Sequence, residues 1–416
     1  MKFQQLEKPA TLLLILISVG ALAIKPAIEI SPSPLGGAFV DQLLNMISYL
    51  ILLILIIYYW KGFAYVGSKN IFQFFLLIVI LFSVLWSADM ASSLTYVRGL
   101  IRIYLLAIYL AMRYTLQEQM RFSAFALGIT AVLSIIFPLI PSFGGIHVTP
   151  ELAGMWSGIF GHKNELGYMM AWCAGISLHL ALSESQYRWL RLAIVGLSIC
   201  LIILSRSTTS LMIVVTMIFL LPLYKLSKNN NYKLQIITIS FVLILLISAS
   251  ILILGNAENI VGASGKDLTF SGRTDLWEPV LNKILERPWY GYGYAGFWNS
   301  PSASNIRLTH EWASNSHNGF LEIILDLGIG GFLIFATGFV RFFIMALNRV
   351  VFVAKKPEDY WPMQMLVIII ILNISEARLL VPSWNWLMYL TTSLSLTMEY
   401  HRLKNRVSSS LDITPT

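Results

Sequence analysis

Charge is what this chain has least of. Asp, Glu, Lys and Arg make up 12% of its 416 residues, about half the share that soluble domains carry. So few ions cannot clothe a water-facing surface of this size, which excludes an ordinary soluble domain. Cysteine is scarcer still: Cys173 and Cys200 are the two present, and both fall inside apolar runs. A disulfide scaffold is therefore excluded. His310, Glu311 and His317 are too loosely spaced, and unaided by cysteine, to read as a metal site. No tight cluster of carboxylates suits Mg²⁺. No low-complexity linker divides the chain, and no internal repeat is visible.

What is present is apolar. Hydrophobic residues make up 57% of the chain, and they recur in runs of about twenty residues, the length that crosses a bilayer. Inside hydrocarbon every backbone polar group must pair within its own segment, so such runs are helices. The fold class expected is an all-α polytopic membrane protein with about twelve transmembrane helices and one large exported loop containing short helices. The spans fall at roughly 9–27, 38–59, 71–88, 93–113, 122–141, 166–183, 189–204, 207–226, 234–255, 319–343, 361–375 and 384–400. Helices one to nine thus fill 1–255, the loop 256–318, helices ten to twelve 319–400, and a tail 401–416. The first run lacks a convincing small-residue cleavage site and reads as a retained helix.

Basic residues orient the bundle. Lys61 and Lys69, Arg113 and Arg121, Arg188 and Arg191, Arg341 and Arg349, and the tail's Arg402, Lys404 and Arg406 all fall on the N-terminal side. Both termini are therefore expected in the cytoplasm. The formal charge of +8 follows from this flanking pattern, so nucleic acid is not a partner.

The loop 256–318 is the most informative segment. Trp277, Val280, Leu281, Ile284 and Leu285 recur at helical spacing until Pro288 stops them, predicting a short amphipathic helix on the membrane surface. Gly291-Tyr-Gly-Tyr-Ala-Gly296 matches a dinucleotide fingerprint, but no strand precedes it, so it reads as a tight aromatic turn. Aromatics such as Trp289, Tyr290, Trp298 and Trp312 suit either sugar stacking or a membrane interface.

Candidate site residues cluster at exported boundaries. His162 and Lys163 enter span six, where they fit phosphate binding at a helix N-terminus or plain interfacial snorkelling. Arg206 tips the tight hairpin 204–207 and suits an anion, or a salt bridge to Glu322 or Glu376. Glu322 and Asp326, one helical turn apart, either tune His317 or neutralise arginines. His317 itself, between Ser316 and Asn318, is a titratable group poised at the membrane boundary, or part of a helix cap.

Together the motifs resemble a known family. Gly158-Ile-Phe-Gly-His162-Lys163-Asn164, Leu204-Ser-Arg206-Ser, Ser271-Gly-Arg273-Thr-Asp-Leu-Trp277, Arg287-Pro-Trp-Tyr-Gly-Tyr-Gly293 and Ser316-His317-Asn318-Gly-Phe-Leu-Glu322 occur in this order. His317-Asn318, nine residues, then Gly328-Ile-Gly-Gly331 completes the pattern. It is similar to the O-antigen ligase and O-antigen or exopolysaccharide polymerase superfamily. The resemblance implies a GT-C-like glycosyltransferase at the periplasmic face of the bacterial inner membrane. Its donor would be an undecaprenyl-diphosphate-linked glycan, its acceptor another glycan or a lipid A core, and it would need no cofactor or metal. His317 would be catalytic, Arg206, Arg273, Lys163 and His162 would hold the diphosphate, and Glu322, Asn318 and Arg287 would support them. The His-Lys-Asn wording is nearer the polymerases than the ligases; transport of the lipid-linked glycan is the reading of another class.

Overall fold

The computed structural model describes residues 2–22, 36–140, 143–226, 273–354 and 356–411. The ninth expected span, 234–255, and loop residues 256–272 lie outside them. Among the described residues the regular structure is helical, with one isolated bridge between Ile146 and Trp156. The chain forms two compact units, each discontinuous in sequence.

The first unit comprises Met1–Tyr58, Tyr114–Phe241 and Arg349–Leu372. It holds α1 (Lys2–Ser18), the first part of α2 (Gly36–Lys69), α5 (Leu116–Leu139), α6 (Lys163–Ser183), α7 (Arg188–Ser205), α8 (Thr208–Leu226) and α12 (Trp361–Ser375). The central helix is α6, buried along most of its length because small residues let its neighbours approach. An added Cβ at Gly175 would lie 2.1 Å from Met217, and Trp172 meets Trp361 at 5.8 Å between ring centroids. The hairpin expected at 204–207 is present: α7 ends at Ser205, Arg206 adopts a left-handed φ of 51°, and α8 starts at Thr208.

The second unit comprises Tyr59–Arg113, Val242–Asn348 and Asn373–Thr416. It holds the rest of α2, which bends at Tyr59, then α3 (Ile71–Ser83), α4 (Met90–Arg113), α9 (Arg273–Glu286), α10 (Ser304–Thr309), α11 (Gly319–Asn348) and α13 (Trp384–Leu411). An aromatic stack of Phe335, Phe339, Trp386 and Tyr389 joins α11 to α13, and Gln73 on α3 donates to the Tyr389 hydroxyl at 3.1 Å.

Several helices differ in extent from the expected spans. α2 runs on to Lys69, and α13 continues to Leu411 because no Gly or Pro interrupts 384–411. The expected helical stripe of the loop is found as α9, with Pro279 inside it. Proline there removes only the bond to the carbonyl of Asp275, an exposed residue. The apolar positions of α9 split between two sides. Leu276, Val280 and Ile284 pack with Tyr292, Phe297 and Trp298 of the loop and Leu325 of α11 into one core, while Leu281 and Leu285 stay exposed. Six helices are long and apolar enough to cross a membrane among the described residues.

Within the second unit the aromatic turn after α9 enters a membrane helix. α11 breaks at Gly328, where φ is 67° and ψ is −176°. The groups left unpaired by the break are met from the turn: Ile329 N–H donates to the Pro288 carbonyl at 2.7 Å, and Tyr292 N–H to Leu325 at 2.9 Å. Broken backbone at membrane depth is tolerated only where protein satisfies it. This insertion fixes the loop after α9 over the N-terminal turns of α11.

Candidate active site

The start of α11 explains why His317 is held still. Asn318 caps the helix, its Oδ1 accepting from the backbone of Phe320 at 3.0 Å and of Leu321 at 3.2 Å. Glu322 reaches back one turn: Oε2 accepts from Ser316 N–H at 2.8 Å and Oε1 from the Trp298 indole at 2.8 Å. Trp277 on α9 donates to the Ser316 carbonyl at 3.0 Å. His317 N–H in turn donates to Asn315 Oδ1 at 2.9 Å. Between these bonds His317 takes a φ of 49°, a conformation that a non-glycine residue keeps only where its surroundings enforce it. Glu322 and Asn318 thus support the histidine through its backbone.

A second carboxylate approaches the ring itself. Glu376 lies in the connection between α12 and α13, and its carbonyl accepts from Gly319 N–H at 3.1 Å. Its Oε2 stands 3.6 Å from His317 Nδ1, and its Oε1 accepts from Arg273 Nη2 at 3.0 Å. Arg273 Nη1 donates to the Ser375 carbonyl. Burial alone would raise Glu376, but the adjacent imidazole and the positive charges of Arg273 and Arg378 outweigh it and hold the carboxyl down to about 2. It is therefore an anion at any physiological pH. The histidine side chain is 18% exposed, against 7% for Glu376 and 11% for Arg273. Trp312 flanks the ring with centroids 5.4 Å apart.

The first unit carries other cationic candidates. His162 caps α6, its Nδ1 accepting from Asn164 N–H at 3.2 Å, and Lys163 N–H donates to His147 Nε2 at 3.1 Å. His147, which the sequence reading passed over, faces His162 at 5.5 Å between rings. Arg206 is exposed at its helix terminus. Arg287 stacks over Tyr292 at 4.7 Å. Tyr292 is held far above an ordinary phenol by burial and by its hydrogen bond to Glu286, and Arg287 packs on the face of this ring. Glu376 was visible as an acid just past an apolar run, yet nothing local in the sequence pairs it with His317.

Residues 193–336 match a family model described as O-antigen ligase, a segment that includes Arg206, Arg273 and His317 and ends before Glu376. This match and the relative below support a likeness to the O-antigen ligase and polymerase superfamily. Over 248 residues it is 27% identical to the exopolysaccharide production protein ExoQ of Rhizobium meliloti (strain 1021), covering 55% of each chain. It spans about half the length of this curated relative. Six candidate spans and this family likeness support a multi-pass membrane protein.

Proposed function

We propose that the chain is a metal-independent glycosyltransferase that polymerises undecaprenyl-diphosphate-linked repeat units at the periplasmic face of the inner membrane. The observation that carries this is His317 fixed at a helix entry, with Nδ1 facing an ionised carboxylate and part of its ring open. The acceptor hydroxyl would attack the anomeric carbon of the donor, the bond from that carbon to the diphosphate oxygen would break, and His317 would take the hydroxyl proton. The diphosphate leaves with the bonding electrons, so its developing charge must be met by cations. Arg206, Lys163 and His162 are exported cationic or titratable groups suited to this. Wording at 162–164 and likeness to an exopolysaccharide production protein favour a polymerase; the family description is what would favour a ligase onto lipid A core.

Purified enzyme given only lipid-linked repeat units, in EDTA, is expected to make polymer. Transfer that appears only when lipid A core is added would replace the polymerase reading with the ligase one. Activity lost in EDTA and restored by Mg²⁺ or Mn²⁺ would end the claim of metal independence. In the same assay Arg206→Ala is expected to raise the donor KM about tenfold or more, the loss of one charge-assisted contact; an unchanged donor KM removes Arg206 from the diphosphate.

Both termini are proposed to be cytoplasmic and the loop 256–318 periplasmic, on the strength of the flanking basic residues. The exposed Leu281, Leu285, Trp289 and Tyr290 suit the membrane interface beside it. Cysteines placed at Ser302 and Ser409, with Cys173 and Cys200 removed, test this in spheroplasts. An impermeant thiol reagent is expected to label position 302 alone, and labelling of 409 alone would invert the topology.

A further inference from the structure

We propose that Glu376 is the positioning residue for His317, and that Arg273 acts on the reaction through Glu376. This rests on the reading of His317 as the base that takes the acceptor proton. His317 Nδ1 is buried and makes no hydrogen bond to the chain, and Glu376 Oε2 stands 3.6 Å away. That separation is just outside hydrogen-bond length, the looseness expected of a catalytic contact before substrate binds. Once Nδ1–H donates to this oxygen, the tautomer is set and the lone pair lies on Nε2. Since Nδ1 is buried, the ring's 18% exposure belongs to its other atoms, where an acceptor hydroxyl can arrive.

Glu376 is itself held on two sides. Arg273 occupies its second oxygen at 3.0 Å, and the Gly319 N–H bond ties its backbone to the turn bearing His317. An added Cβ at Gly319 would stand 2.2 Å from Asn373 Oδ1, so glycine is what lets these two segments touch. A buried carboxylate without a counter-charge would take up a proton and lose its ability to accept from imidazole. Arg273 and Arg378 together prevent that. Both nitrogens at the end of its guanidinium are engaged, one by Glu376 and one by the Ser375 carbonyl, which leaves its fork poorly placed to clasp a diphosphate two-handed. Buried ion pairs add little stability over apolar packing, so orientation of the base is the physical return on keeping these charges here.

The test is steady-state kinetics of the full-length enzyme with lipid-linked repeat units. Glu376→Gln is expected to lower kcat by about 10²-fold, within the range a general base supplies, with the donor KM nearly unchanged. The loss should vanish in a His317→Gln background, because a group acting through the histidine has nothing left to orient. Arg273→Ala should add little to Glu376→Gln. A wild-type kcat in Glu376→Gln, or a full second loss in the His317→Gln background, overturns the proposal. A donor KM raised severalfold by Arg273→Ala on top of Glu376→Gln assigns Arg273 to the diphosphate instead. Should the Gln variant fail to fold, Glu376→Asp keeps the charge but withdraws it by one methylene, and a wild-type kcat there counts equally against it. Full activity in His317→Gln alone would overturn the underlying reading of His317, a result distinct from the failure of Glu376.

Discussion

Replacing His317 by alanine is expected to cut glycan transfer by about 10²- to 10⁴-fold, the contribution typical of a positioned general base. The backbone around it should survive the change. Asn318 caps α11, Glu322 holds Ser316 N–H, and Trp277 holds the Ser316 carbonyl, and none of these bonds uses the imidazole. Alanine also tolerates the left-handed φ of 49° no worse than histidine does by much, since both carry a Cβ. The loss should therefore fall on kcat, with donor binding and folded yield near wild type. His317→Gln divides the role further, because glutamine keeps a hydrogen bond but takes no proton. Wild-type turnover in the glutamine variant would restrict His317 to holding the acceptor. Wild-type turnover in both variants would remove it from the chemistry altogether.

Much of the local structure could be read from residue patterns. The stripe from Val280 to Ile284 and the stop at Pro288 place α9, and the Gly and Tyr alternation at 291–296 forms the turn it suggested. The boundary position of His317 and the capping residues beside it also followed from order alone. What did not follow is whatever depends on closure across long stretches of chain. Glu376 reaches His317 only because Gly319 admits Asn373 and the segment after α12 folds back on the start of α11. No periodicity reports such a meeting. Arg273 likewise was expected on the donor diphosphate, whereas its guanidinium is engaged by Ser375 and Glu376. An apolar run overstates helix length in one place as well: α3 covers 13 residues where 71–88 was expected.

Gly328 marks the largest expected effect on folding. The family-like pattern includes this glycine, but the reason for it lies in the break of α11. Its φ of 67° with ψ of −176° belongs to a region that is essentially glycine's alone, costing other residues about 1–3 kcal/mol. A Cβ there would also sit 2.3 Å from the Trp289 carbonyl carbon and 2.4 Å from Tyr290 N. Those are backbone atoms of the inserted turn, pinned by Ile329 N–H to Pro288 and by the Trp86 indole to Tyr290, so they cannot swing aside as a side chain would. Overpacking of this kind adds about 1–3 kcal/mol. Gly328→Ala is thus expected to cost about 2–6 kcal/mol in all, a large part of a typical stability of about 5–15 kcal/mol. The measurement is thermal unfolding of detergent-purified protein, with Gly330→Ala as the comparison. Gly330 is exposed and its added Cβ would stand 3.2 Å from the Trp289 carbonyl oxygen, a strain that a slight shift relieves. Gly328→Ala should melt far below wild type or fail to accumulate, and Gly330→Ala should stay close to it. Equal melting of the two variants would mean that the turn does not brace the broken helix, and that His317 is held over α11 by its caps alone.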